Sequence, residues 1–286
     1  MIRNALLALD GSAASDVALK MAIQFVQNRS EQAKQEKGEI LLTGVAVLDR
    51  PTITKREAMP AGAAAFKKER DEAWLAEADE KTRRILDNFR QRCQSAGVAH
   101  DCVRAEGVPY EAIAAESHRH DLVLIGRNTN FQFQTSNDRC ETFRHLLRDH
   151  PRPVVVTPSE IPSGDAVMIA YGGSRAASRA LHMFALMEFE LGDLEVHVVS
   201  VDKKEEVAEA NCKEAVELLR RHDIAATANP IVTNQNVAQA LLDQAGKLNA
   251  RLIVMGAFGR KGIQKTFFGS STRKMLEQSA CPLFLY

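Results

Sequence analysis

The run Gly256-Ala257-Phe258-Gly259, continuing through Lys261 and Lys265 to Gly269-Ser270-Ser271, has the residue types of a phosphate cradle. It follows an apolar run, Leu252–Met255, that reads as a buried parallel strand, and it precedes Thr272–Ala280, which reads as a helix. Glycines let backbone N–H groups approach a ligand because no Cβ stands in the way. A helix beginning near Ser271 offers unpaired N–H groups and the positive end of its dipole. Lys261 and Lys265 add charge, and Ser270 and Ser271 add hydroxyl donors. The spacing G-x2-G-x9-G-S after an apolar strand constrains far more than one glycine pair would. The competing plain reading is that Gly259 and Gly262 turn the chain and Ser270 or Ser271 caps a helix.

The elements that must hold this loop are those of an α/β protein. Ala5–Leu9 is a short apolar strand ending in Asp10-Gly11-Ser12, with Ser12 the N-cap of a helix running to about Gln27. Glu39–Leu48 is a second strand, and Asp49–Ala65, with Pro51, Pro60 and Gly62, is an irregular excursion. Phe66–Ser95 is a long helix whose stripe of Trp74, Ala78, Ile85, Phe89 and Cys93 faces a core. Strand Val98–Arg104, helix Pro109–His118, strand Leu122–Ile125, a helix around Thr142–Asp149 and strand Val154–Thr157 complete this half. Strands alternating with helices imply a parallel sheet covered on both faces.

After a linker at residues 157–164 the pattern begins again. Val167–Tyr171 ends in Gly172-Gly173-Ser174, where the first half has Asp10-Gly11-Ser12. Leu194–Val201, Glu205–His222, Ala225–Val232, Asn236–Leu248 and Leu252–Gly256 repeat the elements that follow, and Cys281-Pro282-Leu283-Phe284-Leu285 repeats Arg152-Pro153-Val154-Val155-Val156. A duplicated unit gives two domains, 1–158 and 166–286. The two last strands are strongly apolar and are expected to pair or pack between halves, since a bare edge of that kind aggregates.

Charge is balanced, with 37 Lys and Arg against 37 Asp and Glu, which argues against a dedicated nucleic-acid binder. The five cysteines form no C-x-x-C pair, as expected of reduced thiols in a cytoplasmic protein. No apolar run reaches the length of a membrane span, and the first residues run straight into a strand without a signal-peptide pattern. His118 and His120, two apart, lack the spacing of a helical zinc pair and read as a solvated helix end.

Ligands of open parallel sheets sit beyond the carboxyl ends of the strands. In the second half three pieces meet there: Tyr171-Gly172-Gly173-Ser174, the strand end at Ser200-Val201-Asp202, and the glycine loop. That loop, the strand followed by Asp-Gly-Ser, and the tandem arrangement resemble the universal stress protein family, in its two-domain form, over essentially the whole chain. The resemblance implies two tandem, open, twisted sandwiches with five parallel strands each, Rossmann-like and akin to the nucleotide alpha hydrolases. It implies domains paired through their last strand, within one chain or in a homodimer. It also implies ATP, AMP or ADP held with Mg²⁺ by the glycine loop, with an Asp after the first strand on the adenine.

Carried over residue by residue, Gly256, Gly259, Gly269, Ser270 and Ser271 match the phosphate and ribose loop, and Tyr171, Gly172, Gly173, Ser174 and Val201 flank the base. Gly172 stands where the adenine-contacting Asp belongs, so backbone groups of Tyr171 or Gly172, or the Tyr171 ring, would have to meet the base. In the first half Asp10, Ser12 and Gly126 are present, but Thr129 replaces a glycine and Cys140-Glu141-Thr142 replaces Gly-Ser-Ser. Glu141 would face phosphate with a like charge, so this site is expected to be degenerate. The function expected is a stress-response protein that binds an adenine nucleotide in its second domain and acts by regulation or partner binding. Two other functions stay open: a weak ATPase, and a scaffold or carrier whose first domain closes Asp49–Ala65, Phe131 and Phe133 over a non-nucleotide ligand.

Overall fold

The computed structural model describes residues 1–28, 35, 38–58, 60, 62–131, 146, 152–257 and 270–286. Its contacts divide the chain into two compact units. One holds β1 (Asn4–Leu9), α1 (Ala13–Gln27), β2 (Leu41–Leu48), α2 (Arg50–Ile53), α3 (Ala64–Ser95), β3 (His100–Glu106), α4 (Pro109–Ser117) and β4 (Leu122–Gly126). The other holds β5 (Val154–Thr157), β6 (Ala166–Ala170), α5 (Arg175–Leu186), β7 (Glu195–Asp202), α6 (Glu205–Arg220), β8 (Thr227–Val232), α7 (Val237–Lys247), β9 (Ala250–Met255), α8 (Ser270–Gln278) and β10 (Leu283–Leu285). Of the helix expected at 142–149 only Leu146 is described, and Gly259, Lys261, Gly262, Lys265, Gly269, Phe133, Cys140 and Glu141 lie outside the described residues.

In the first unit the strands run parallel in the order β3-β2-β1-β4. In the second the parallel order is β10-β9-β6-β7-β8, with the first strand of the repeat again central. The central strands are buried throughout: β1 hides Ala5 to Leu9, and every residue of β4 is buried. Strands covered on both faces need no alternation, which is why Leu122–Ile125 is continuously apolar. β5 joins the second unit because its ladder partner is β10, antiparallel, with Leu283 opposite Val156 and Leu285 opposite Val154.

The helices follow their caps and stripes. Ser12 and Ser174 both cap, their hydroxyls accepting from Ser15 N at 3.2 Å and Ala177 N at 3.1 Å. α3 buries Ala78, Thr82, Leu86, Phe89 and Cys93 on one face. Toward its start, Trp74 and Leu75 pack on Leu48, Ile53 and Ala78. The excursion after β2 is less irregular than its prolines suggest: Asp49 Oδ1 accepts from Thr52 N at 3.1 Å and starts α2, with Pro51 in its first turn. The histidine pair also departs from expectation. His118 is exposed, but His120 is 5% exposed, its Nδ1 2.9 Å from Glu116 O. No helix among the described residues is long and apolar enough to cross a membrane, and no metal-binding group of His, Cys, Asp and Glu is found among them.

Candidate functional site

Strand register sets the site before any side chain is considered. In the second unit Met255 pairs with Ala170, and Ala170 with Val199. The next residues, Gly256, Tyr171 and Ser200, therefore form one row across the carboxyl edge. In the first unit Ile125 pairs with Ala8 and Ala8 with Val45, so that the matching row is Gly126, Leu9 and Ala46. Of the residues singled out from sequence, Tyr171, Gly172, Gly173, Ser174, Val201 and Gly256 thus come to adjacent strand ends, while Ser270 and Ser271 open α8. Gly259 and Gly269 lie outside the described residues.

Gly126 and Gly256 meet the same local demand. A Cβ on Gly256 would fall 2.5 Å from the carbonyl carbon of Ala176, and one on Gly126 would fall 2.6 Å from that of Ala14. Each glycine lets the first turn of α5 or α1 press against the strand end. Packing alone accounts for both, so the first glycine of the motif carries no phosphate information of its own; whatever specificity the loop has resides further along it.

The first unit closes its strand end with its own groups. Asp10 is 7% exposed, and its Oδ1 accepts from Ser12 N at 2.9 Å and from Ser12 Oγ at 2.6 Å. Oδ2 accepts from Asn130 N at 2.6 Å, tying the chain after β4 across the end of β1. Thr129 is buried, its hydroxyl donating to Gly126 O at 2.8 Å, and Phe131 is 7% exposed beside it. What remains is a cavity of about 30 Å³ lined by Asp10, Asp49, Lys81, Thr82, Phe131 and neighbours. That is room for about one water molecule. Asp49, 2% exposed, borders it with an Oδ2 that has no hydrogen-bond partner among the described residues.

The second unit has no carboxylate at the corresponding place. Gly172 and Gly173 are exposed, and a Cβ on Gly172 would meet nothing within 4 Å among the described residues. Gly173 takes φ +63°, a conformation that suits glycine. Tyr171 does not offer its ring to a ligand: it is 3% exposed, and its hydroxyl donates to Glu214 Oε1 at 2.6 Å. Burial, then the Glu214 carboxylate, pushes its phenol up to about 12. A ring stacked on a base, expected at this position, therefore gives way to a strut between β6 and α6. Val201 and Asp202 are half-buried, and Asp202 Oδ1 accepts from Lys204 N at 3.1 Å.

Two residues of α6 were not anticipated. Asn211 lies against Gly173 and donates from Nδ2 to Ser200 Oγ at 3.1 Å, and Glu214 receives Tyr171. Their three-residue spacing puts them on one helix face. For Asn211 the signal available in the sequence was the replacement of the apolar Ile85 of the first repeat by a polar residue; Glu214 matches Asn88 and gave no such signal.

The family model described as the universal stress protein family matches residues 1–131 and 165–286. Universal stress protein Slr1230 of Synechocystis sp. (strain ATCC 27184 / PCC 6803 / Kazusa) is 22% identical over 210 residues, covering 72% of each chain. A universal stress protein from Archaeoglobus fulgidus DSM 4304 shares the fold at a TM-score of 0.70 and 19% identity, over 99% of this chain and 95% of that one. A putative universal stress protein from Pseudomonas aeruginosa UCBPP-PA14 does so at 0.56 and 17%, over 99% and 92%. With one match in each half and the α/β topology repeated around a central first strand, the chain belongs to the universal stress protein family as a tandem member.

Proposed function

We propose that the second repeat, residues 166–286, binds ATP or a related adenine nucleotide, with Mg²⁺ accompanying the phosphates, and that the first repeat, residues 1–158, does not. The observation that carries this reading is the contrast at the two strand ends. Gly172 and Gly173 are exposed at the strand end where Asp10, Asn130 and Phe131 close the first repeat. Gly259, Gly269, Ser270 and Ser271 supply the phosphate and ribose contacts, with Tyr171, Gly172, Gly173, Ser174, Val201 and Gly256 forming the floor. Binding changes the surface offered to a protein partner, so the role is regulatory rather than catalytic. The protein acts in the cytoplasm, and the repeats pair through their last strands.

Titration of the full-length protein with MgATP is expected to give one site per chain. Gly269→Glu places a carboxylate and a side chain in the loop and is expected to weaken binding at least tenfold, in line with removing charge-assisted contacts worth about 1.5–3 kcal/mol each. A folded Gly269→Glu protein with wild-type affinity would show that the loop assignment is wrong. Steady-state phosphate release, measured on the same samples, tests the non-catalytic part.

A further inference from the structure

The two repeats can be matched side chain by side chain at the strand ends, and the differences form a pattern. The edge rows put Leu9 against Tyr171 and Ala46 against Ser200. On the helix after the second strand, α3 buries Thr82, Leu86, Phe89 and Cys93, and α6 buries Ala208, Cys212, Ala215 and Leu219 at the same spacing. That register places Ile85 against Asn211. The glycines after the first strand agree: a Cβ on Gly11 would meet Ile85 at 3.0 Å, and one on Gly173 would meet Asn211 Oδ1 at 2.6 Å. Three apolar residues of the first repeat, Leu9, Ala46 and Ile85, have thus become Tyr171, Ser200 and Asn211. In the opposite sense, Asp10 has become Gly172.

The fold does not need the polar set, because the first repeat stands without it. Burying a hydroxyl and an amide costs free energy unless they are paired. Ser200, 1% exposed, is paired by Asn211 Nδ2 at 3.1 Å. That bond fixes the amide and leaves its second N–H and Oδ1 without a hydrogen-bond partner among the described residues, against the exposed Gly173. An amide edge presents an acceptor and a donor side by side, the complement of the amino group and ring nitrogen of adenine.

We propose that Asn211, held in place by Ser200, reads the base of the nucleotide in the second repeat, replacing the carboxylate that Gly172 lacks. The proposal rests on the nucleotide reading above. Asn211 touches the base, and Ser200 is a positioning residue.

The test is calorimetric titration of the full-length wild type, Asn211→Ile and Ser200→Ala with MgATP, MgGTP and magnesium tripolyphosphate. Both substitutions install the residue that the first repeat carries at that place. Asn211→Ile is expected to weaken ATP about five- to hundred-fold, the range for losing a bidentate base contact, and to abolish the preference for ATP over GTP. Tripolyphosphate affinity is expected to stay within twofold. Ser200→Ala is expected to move ATP affinity in the same direction by less, which keeps the question decidable if Asn211→Ile folds poorly. Unchanged ATP affinity and selectivity in both variants overturn the proposal, as does an equal loss for tripolyphosphate, which marks general damage. A wild type that binds tripolyphosphate as tightly as ATP overturns base reading and leaves the phosphate cradle standing; a wild type that binds neither removes both.

Discussion

Gly126 and Gly256 do at the residue scale what no other side chain allows. Each sits where a strand ends and the first helix of its repeat crosses, with backbone atoms as near neighbours at 2.5–2.6 Å from a would-be Cβ. Backbone cannot rotate away as a flexible side chain can, so the added methyl must push a helix. Gly126→Ala and Gly256→Ala are each expected to lower stability by about 1–3 kcal/mol, the range for overpacking a tight site, read as a fall in urea midpoint at constant slope. A midpoint unchanged in either variant would mean that the helix does not press on that glycine. Gly44 carries a milder version of the same restriction, since a Cβ there would meet the Phe89 ring at 2.8 Å.

At the element scale, the second repeat ties β6 to α6 through Tyr171 and Glu214 at 2.6 Å. The phenol is pushed up to about 12, above the ordinary value near 10. The sign follows from which form the fold prefers. Folding favours the protonated phenol, so its contribution is complete below about pH 10 and is lost as pH rises through 12. Tyr171→Phe is expected to cost about 1 kcal/mol at pH 8, and the gap between variant and wild type should narrow from pH 10 upward in urea unfolding. A gap constant with pH would sever the phenol from the effect.

Strands, helices and caps were readable from sequence because each has a local cause: apolar runs at β4 and β9, Ser12 before α1, and the helical stripe of α3. The site was readable only in part. Gly172, Val201 and Gly256 were placed correctly at strand ends, since strand ends follow from the runs themselves. The Tyr171–Glu214 strut, the Asn211–Ser200 pair and the closure of Asp10 by Asn130 join residues far apart in the chain. Local pattern does not encode such pairs; only the register between strand and helix does. The burial of His120 was missed because the spacing of the two histidines says nothing of how the chain after α4 is covered.

At the scale of the whole molecule, duplication separates two tasks under the function proposed above. A unit that must admit a ligand keeps its strand ends open and bears unpaired polar edges. A unit freed from that demand can satisfy Asp10 internally and bury Thr129 and Phe131. The duplication was legible because whole segments recur in order, whereas the contrast between the two strand ends rests on a few side chains and needed their geometry. The antiparallel ladder between β5 and β10 has a practical corollary for anyone cutting the chain. The apparent linker at 157–164 invites a cut that would leave β10 without its neighbour and expose a row of unpaired amides flanked by Leu283, Phe284 and Leu285. A fragment of residues 166–286 is therefore expected to self-associate on sizing columns more strongly than one of residues 152–286, which retains Val154–Thr157. Equal behaviour of the two fragments would show that the edge is harmless. In the intact chain, four residues of the first repeat serve as the sleeve over the second repeat's adhesive edge.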